Sequence, residues 1–287
     1  MNLYERFVRD LTRASALPTQ PDLLGRLVTA LAAEDTGLRE IAALVRQDPV
    51  LTGQVIRVAN SSAYAPRREI AAVADALLRI GLVQTRRLVL ALALRNMVAG
   101  PGLLEIQAGF WQHSLGVAHA AELLARRAGA AGGLGAEEGY LLGLVHDVGL
   151  LGLAGYEPEA LERVRRFAAR SELPRYAAEP PVLGTHHGAL GAALCRHWRL
   201  PAVVERVVAA HHGLEELPEE LAPAVELLRL AERLSEEAGV EGLNEGWFTP
   251  VDALSLDAVG LREGDLAELL WELRGALEHT GAALAAL

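Results

Sequence analysis

Apolar residues recur every three or four positions through almost the whole chain, which is the period of helices with one face turned inward. Leu3, Phe7, Val8 and Leu11 make the first such stripe, over about residues 2–14. Leu23, Leu24, Leu27, Val28 and Leu31 make the second, opened by Pro21 after Thr19-Gln20, where a missing N–H costs nothing. A third helix is predicted from Gly37 to Gln47. Asp48 then supplies an N-cap and Pro49 a first helical position for a fourth, whose apolar side holds Leu51, Val55, Ile56 and Val58. The polar turn Asn60-Ser61-Ser62, closed by Pro66, ends it. Two more helices follow at about 69–80 and 84–99, parted by Gly81.

The segment "AGPG" at 99–102 is the clearest internal boundary. Beyond it the pattern predicts a long helix over 103–128, a glycine-rich loop, and a helix starting near Ala136 that carries "GLVHDVG". Helices at about 157–170, 187–197, 201–212 and 219–238 come next. The last stretch, 241–287, holds a loop with Trp247 and Pro250 and one or two closing helices. β-Branched runs are sparse, while Leu, Ala, Arg and Glu dominate, so the fold class is all-α. Three parts are expected: a helical subdomain over 1–100, a second over 101–240, and a helical extension over 241–287.

Composition narrows the function classes. With 287 residues, 51% of them hydrophobic, the chain can bury a core without disulfides. The single cysteine, Cys195, fits a reducing compartment, and a cytoplasmic location is expected. A net charge of -10 gives no support for nucleic-acid or anionic-membrane partners. The apolar run "LVLALAL" is too short to cross a bilayer. There is no Walker A loop and no dinucleotide-binding glycine motif. Cys195 reads as a buried structural residue, and the pairs Arg86-Arg87 and Arg126-Arg127 read as solvated helix faces.

The nine histidines are unevenly placed, and none precedes residue 113. His113, the adjacent His146-Asp147, His187 and the pair His211-His212 sit on or beside predicted helices rich in Ala, Leu and Val, and Glu232 can join them. Imidazoles and carboxylates gathered from facing helices suit a divalent metal such as Fe, Mn, Zn or Ni. The alternative is a set of hydrogen-bonded core or surface imidazoles, which is the reading for His119, His197 and His279. Gly143 and Gly149 are expected to let neighbouring helices come close to the His-Asp pair. If Asp147 bridged two cations, they could hold a phosphate and lower the pKa of a water. No Lys or Arg stands clearly beside these motifs, so the phosphate charge would fall on the metals.

Taken in order, Asp48-Pro49 with Leu51, Asn60-Ser61 and Ile80-Gly81, then "FWQHSLGVAHAAELLA", "GYLLGLVHDVGLL", "LGTHHGALGAALCRHWRLP" and "VAAHHG" resemble the HDOD domain. This is a branch of the HD superfamily, and the resemblance covers about residues 15–240. It implies an N-terminal helical bundle packed on an HD-like helical subdomain. It also implies a role in bacterial signalling or regulation as a non-catalytic module that binds a protein partner or a nucleotide second messenger; the alternative is a metal-dependent phosphohydrolase or phosphodiesterase using the His/Asp cluster. Catalytic HD phosphohydrolases bind metal through a His, a His-Asp pair and a later Asp. By position these would be His113, His146, Asp147 and Glu232, with His187, His211 and His212 matching the further ligands of members that hold more than one metal. Glu232 departs from the expected Asp by a methylene. "HHGLEELPEE" lacks the Gly-Tyr-Pro of the cyclic di-GMP phosphodiesterases, so that activity is not implied.

Overall fold

The computed structural model of the chain describes residues 2–11, 21–33, 35–66, 68–97, 104–240 and 256–284. Among the described residues the regular structure is entirely helical, with no strand. In chain order the helices are α1 (Leu3–Leu11), α2 (Pro21–Ala32), α3 (Leu38–Val45), α4 (Pro49–Ala59), α5 (Val73–Ile80), α6 (Leu82–Met97), α7 (Leu104–Ala128) and α8 (Ala136–Val145). They continue as α9 (Val148–Tyr156), α10 (Pro158–Ser171), α11 (Arg175–Leu183), α12 (His187–His197), α13 (Ala202–Ala210), α14 (Ala222–Glu237) and α15 (Leu266–Leu284). The expected features at Thr19-Gln20, at 99–102 and around Trp247 and Pro250 lie outside the described residues.

The helices form two compact units. One takes in α2 to α6 and the chain from Arg274; the other takes in α1 and the chain from α7 to Leu273. In the first, Leu24, Leu27, Ile41, Leu51, Leu77 and Leu92 are fully buried. Asp48 is the cap the sequence predicts: its side chain accepts from the amides of Val50 at 2.8 Å and Leu51 at 3.1 Å. Asn60 closes α4 and clamps the following loop by a two-way pair with the backbone of Ile70, both bonds 2.8 Å. The Gln54 and Asn96 amides pair reciprocally between α4 and α6. These motif residues therefore have local structural work that explains them.

One expectation fails here. Arg86 is not on a solvated face; it is buried, and its guanidinium donates to the carbonyl oxygens of Leu31, Ala33 and Thr36. Those are carbonyls at and beyond the last turn of α2, which have no intrahelical donor of their own. A long stem lets the charged fork reach them while its methylenes stay in the core.

In the second unit α7 is the longest of the central helices, and α8 packs along it. Small residues set that spacing: a Cβ at Gly143 would fall 2.6 Å from the Ala118 Cα and the Val117 oxygen. The expected single helix through "GLVHDVG" is broken. α8 stops at Val145, His146 and Asp147 form a turn, and α9 starts at Val148. Asp147 takes φ -100° and ψ 9°, the bridge region, and not an interior helical conformation. The segment Ala136–Tyr156 has the length and apolarity of a membrane span, yet 83% of its most apolar window is buried inside the protein.

Candidate metal centre

Two helix ends present the first candidate ligands. His146 is the C-cap of α8, and its Nδ1 donates to the Gly143 carbonyl three residues back, at 2.8 Å. His211 is the C-cap of α13 and repeats the device on the Val208 carbonyl at 2.7 Å. A carbonyl only accepts, so each Nδ1 carries a proton and Nε2 is the ring nitrogen turned inward. The same bond occupies a carbonyl that the helix terminus leaves without a partner. His187, the first residue of α12, is oriented by Glu179 of α11, whose carboxylate accepts from both its Nδ1 and its backbone N–H at 2.7 Å. His113 projects from the middle of α7.

Close backbone approach brings these ends together. Gly143 seats α8 on α7, which places His113 Nε2 3.2 Å from His146 Nε2. A Cβ at Gly149 would overlap the His187 carbonyl oxygen and lie 2.7 Å from the Gly191 nitrogen, so α9 and α12 touch backbone to backbone. Both glycines act as expected.

All seven candidate residues meet, in two half-sites. His113, His146 and Glu232 form one; Asp147, His187, His211 and His212 form the other, and within each the ligand-type atoms lie within 4.8 Å of one another. Asp147 stands between them. Its Oδ2 is 3.6 Å from His146 Nε2 and 3.9 Å from His113 Nε2, while its Oδ1 is 3.1 Å from His187 Nε2 and 3.5 Å from His211 Nε2. Glu232 Oε1 lies 3.4 Å from His146 Nε2. Four histidines and the aspartate are buried; Glu232 and His212 are part-exposed and form the rim. The extra methylene of Glu232 does not keep it from the cluster.

Burial, the carboxylates and the crowded imidazoles pull these groups in opposite directions. Burial alone would lower the His187 pKa, but the Glu179 and Asp147 carboxylates outweigh it and raise it to about 10. Burial likewise opposes ionisation of Asp147, and His146 and His187 overcome it, holding that carboxyl well below its usual range. Burial followed by the neighbouring His146 lowers His113 to about 4, so its ring is neutral and free to ligate. Desolvation and the nearby His211 and His187 keep His212 neutral too.

The donor set fits a divalent cation. His187 Nε2 and His211 Nε2 face each other at 3.3 Å with both Nδ1 atoms already committed as donors. Asp147 Oδ1 is buried and makes no aligned hydrogen bond despite its near neighbours. Ring nitrogens and a carboxylate oxygen crowded together in this way are what a cation, or the proton that His187 holds in its place, satisfies. The buried cluster could therefore hold a metal.

Other histidines are placed differently. The His186 ring accepts from the Ala189 amide as the cap of α12 and pairs with Glu215 at 3.2 Å. His119 packs edge-on to Tyr140 beside Glu122. Cys195 is free and fully buried, with its thiol pKa pushed up by that burial.

Sequence reasoning missed α11 altogether, and with it two residues that touch the centre. Pro180-Pro181 in "AAEPPVL" reads as a break, yet both lie in the last turns of this short helix. Glu179, fully buried, orients His187. Tyr176 stacks on His212 with ring centroids 4.3 Å apart and planes 9° from parallel. Arg175 opens the helix on the same turn. The available signal was a lone carboxylate in an apolar stretch, eight residues before a candidate ligand.

A family model described as the HDOD domain matches residues 17–214. The chain is similar to the crystal structure of an HDOD domain protein of unknown function from Geobacter sulfurreducens: 27% identity, 98% of this chain and 97% of that one covered, TM-score 0.73. It is also similar to the MmoQ response regulator of Methylococcus capsulatus, with 28% identity, coverage of 90% and 98%, and a TM-score of 0.50. A curated relative from Treponema pallidum, itself uncharacterized, is 24% identical over 219 residues. That match takes in 76% of this chain but 42% of the relative, so the chain spans less than half of that protein's length.

Proposed function

The chain belongs to the HDOD domain family, and from that premise we propose that it is a bacterial signalling or regulatory protein that works by binding a protein partner or a nucleotide second messenger, with a divalent metal in its HD-like half. The observation that carries the metal is the pair of half-sites joined by Asp147, with one carboxylate oxygen turned to each. His113, His146 and Glu232 would hold an ion on one side, and His187, His211 and His212 on the other. Such an ion supplies Lewis acidity and a fixed positive charge. The chain's own residues do the rest: Glu179 and two backbone carbonyls hold the imidazoles in the ligating tautomer, and the apolar walls of α7, α8 and α9 keep bulk water out. Signalling is supported by the likeness to a response regulator over almost the whole of that structure. We place the protein's action in the cytoplasm, which its lone, buried, unpaired cysteine fits.

A second reading, hydrolysis of phosphoesters, is favoured by one feature: a carboxylate presented to both half-sites is suited to serving two cations at once. Elemental analysis of protein purified without added metal, beside His146→Ala and Asp147→Ala, tests the first claim. Roughly one or more equivalents in the parent, lost from both variants, is the expected outcome. A parent with only traces of metal removes both the metal and the hydrolytic reading. Turnover of any member of a panel of phosphodiesters and nucleotides, abolished in His146→Ala, would move the assignment to the second.

A further inference from the structure

A cleft of about 740 Å³ opens in the second unit, and none of the seven candidate metal ligands lines it. Clefts that take small molecules commonly have volumes of about 300–1,000 Å³. Ala189, Ala192 and Arg196 line it at the three- and four-residue spacing of one face of α12, and Glu205 and Ala209 do the same on α13. Thr185 and His186 reach it from the turn between α11 and α12. Leu214, an exposed apolar side chain, and Glu215 come in from the loop after α13.

The polar groups of this cleft divide into spent and unspent. Arg196 is spent: it pairs with Glu205 through Nε at 3.0 Å and through Nη2, and it also meets the Tyr4 hydroxyl. The His186 ring is spent too. Its Nδ1 accepts from the Ala189 amide at 3.3 Å, so its one ring proton sits on Nε2, 3.2 Å from Glu215 Oε1. That imidazole is uncharged and leaves the negative charge of Glu215 uncancelled. The second carboxylate oxygen of Glu215 has no partner among the described residues, and its side chain is half exposed. Arg206, also on the cleft wall, has no acceptor among the described residues. Thr185 is only 8% exposed, and its hydroxyl bonds to no described residue. Buried hydroxyls are normally satisfied, so this one has room for a partner from outside the chain. A lone exposed Arg or Glu is a solvated surface group. One unspent charge of each sign on the walls of one cleft, beside an idle buried hydroxyl, is a recognition pattern, because a cleft concentrates the field of its wall charges.

We propose that this cleft binds a small zwitterion of the amino-acid type, a free amino acid or a short peptide, with its carboxylate on Arg206 and its ammonium on Glu215. The guanidinium fork matches the two oxygens of a carboxylate, and the unpaired oxygen of Glu215 accepts from an ammonium. Thr185 offers a hydroxyl to a ligand carbonyl or amide. Ala189, Ala192, Ala209 and Leu214 give an apolar wall for the ligand's side chain. A ligand with a charge of only one sign would cover Arg206 or Glu215 without pairing it, which selects against it. Arg196 does not compete for the carboxylate, because Glu205 and Tyr4 already hold it.

Equilibrium dialysis of the full chain tests this, against a mixture of the proteinogenic L-amino acids and, separately, a mixture of dipeptides in which alanine precedes each of them. Mass spectrometry identifies what the protein retains, and the two mixtures tell the free amino acid from the peptide. The most strongly retained compound is then titrated calorimetrically beside its N-acetylated and C-amidated forms. Each blocked form should bind the parent about tenfold more weakly or worse. Arg206→Gln should weaken the unblocked compound by a similar factor and hardly change the C-amidated one. Glu215→Gln should do the same with respect to the N-acetylated one, since each pair of changes removes a single interaction. Retention of nothing from either mixture overturns the proposal. Blocked forms that bind the parent as well as the unblocked compound also overturn it, and they decide on the parent alone should a variant fail to fold. Equal affinity in the parent and both folded variants overturns it as well.

Discussion

Replacing Gly149 by alanine perturbs the centre without touching any candidate ligand. The new methyl would overlap the His187 carbonyl oxygen and come within 2.7–2.8 Å of the Gly191 nitrogen and the His187 carbonyl carbon. All three are backbone atoms, so no side chain can swing aside to make room. To restore an ordinary contact, α9 and α12 must part by about 1 Å, and overpacking of this kind costs about 1–3 kcal/mol. The effect on the centre is larger in proportion. Asp147 precedes α9 and His187 begins α12, so the separation opens the 3.1 Å approach between Asp147 Oδ1 and His187 Nε2 directly. Metal-ligand distances tolerate only about 0.2 Å. Urea denaturation and metal content of Gly149→Ala, measured beside Gly53→Ala, form the assay. Gly53 is exposed in the middle of α4 with nothing near its Cβ position, so alanine there should stabilise by about 0.5–1 kcal/mol through helix propensity. A Gly149→Ala protein that keeps both the parent's urea midpoint and its metal would refute the argument that backbone contact builds the site.

Glu179→Gln keeps the size of the side chain but removes the charge and one of the two acceptors on His187; metal affinity should fall about 10–100-fold in a chelator competition, with little change in helical content. His187 carries an extra proton at neutral pH because Glu179 and Asp147 hold its pKa near 10, whereas Asp147 and Glu232, held low, are already ionised. Metal uptake should therefore expel a proton and strengthen as pH rises, by about tenfold per pH unit for each proton released. Titrations in buffers of different ionisation enthalpy read that number, and uptake with no proton released contradicts the assignment. Arg86→Met leaves three carbonyls at the end of α2 without their charged donor, at a cost of about 2–3 kcal/mol in thermal or urea unfolding.

Much of the helical order was legible because burial of one face imposes the three- and four-residue period wherever a helix packs. Asp48-Pro49 announced α4 through capping chemistry that is local in sequence. The seven ligand candidates could be named one by one from residue type, but their division into half-sites depends on helix crossings at Gly143 and Gly149 that no spacing encodes. The turn at His146-Asp147 escaped notice because apolar residues run up to it from both sides and no proline marks it. α11 escaped for the opposite reason, since a proline pair marks it strongly and misleadingly. Arg86 was misread because a helix pattern shows which way a residue starts from the backbone, not how far a long side chain travels.

Asp147 has a further consequence, for the chain before it folds. The segment from Ala136 to Tyr156 has 21 residues, enough to span a bilayer, and its apolar residues meet the hydropathy of a span. Asp147 is close to its midpoint. A carboxylate at the centre of a nascent span costs about 2.5–3.5 kcal/mol on insertion scales, while the leucines on either side each return only about 0.5 kcal/mol. The residue whose oxygens face both half-sites thus also cancels much of what the leucines would gain on insertion of the nascent segment. Removing its charge would lower that cost as well as strip the carboxylate shared by the two half-sites.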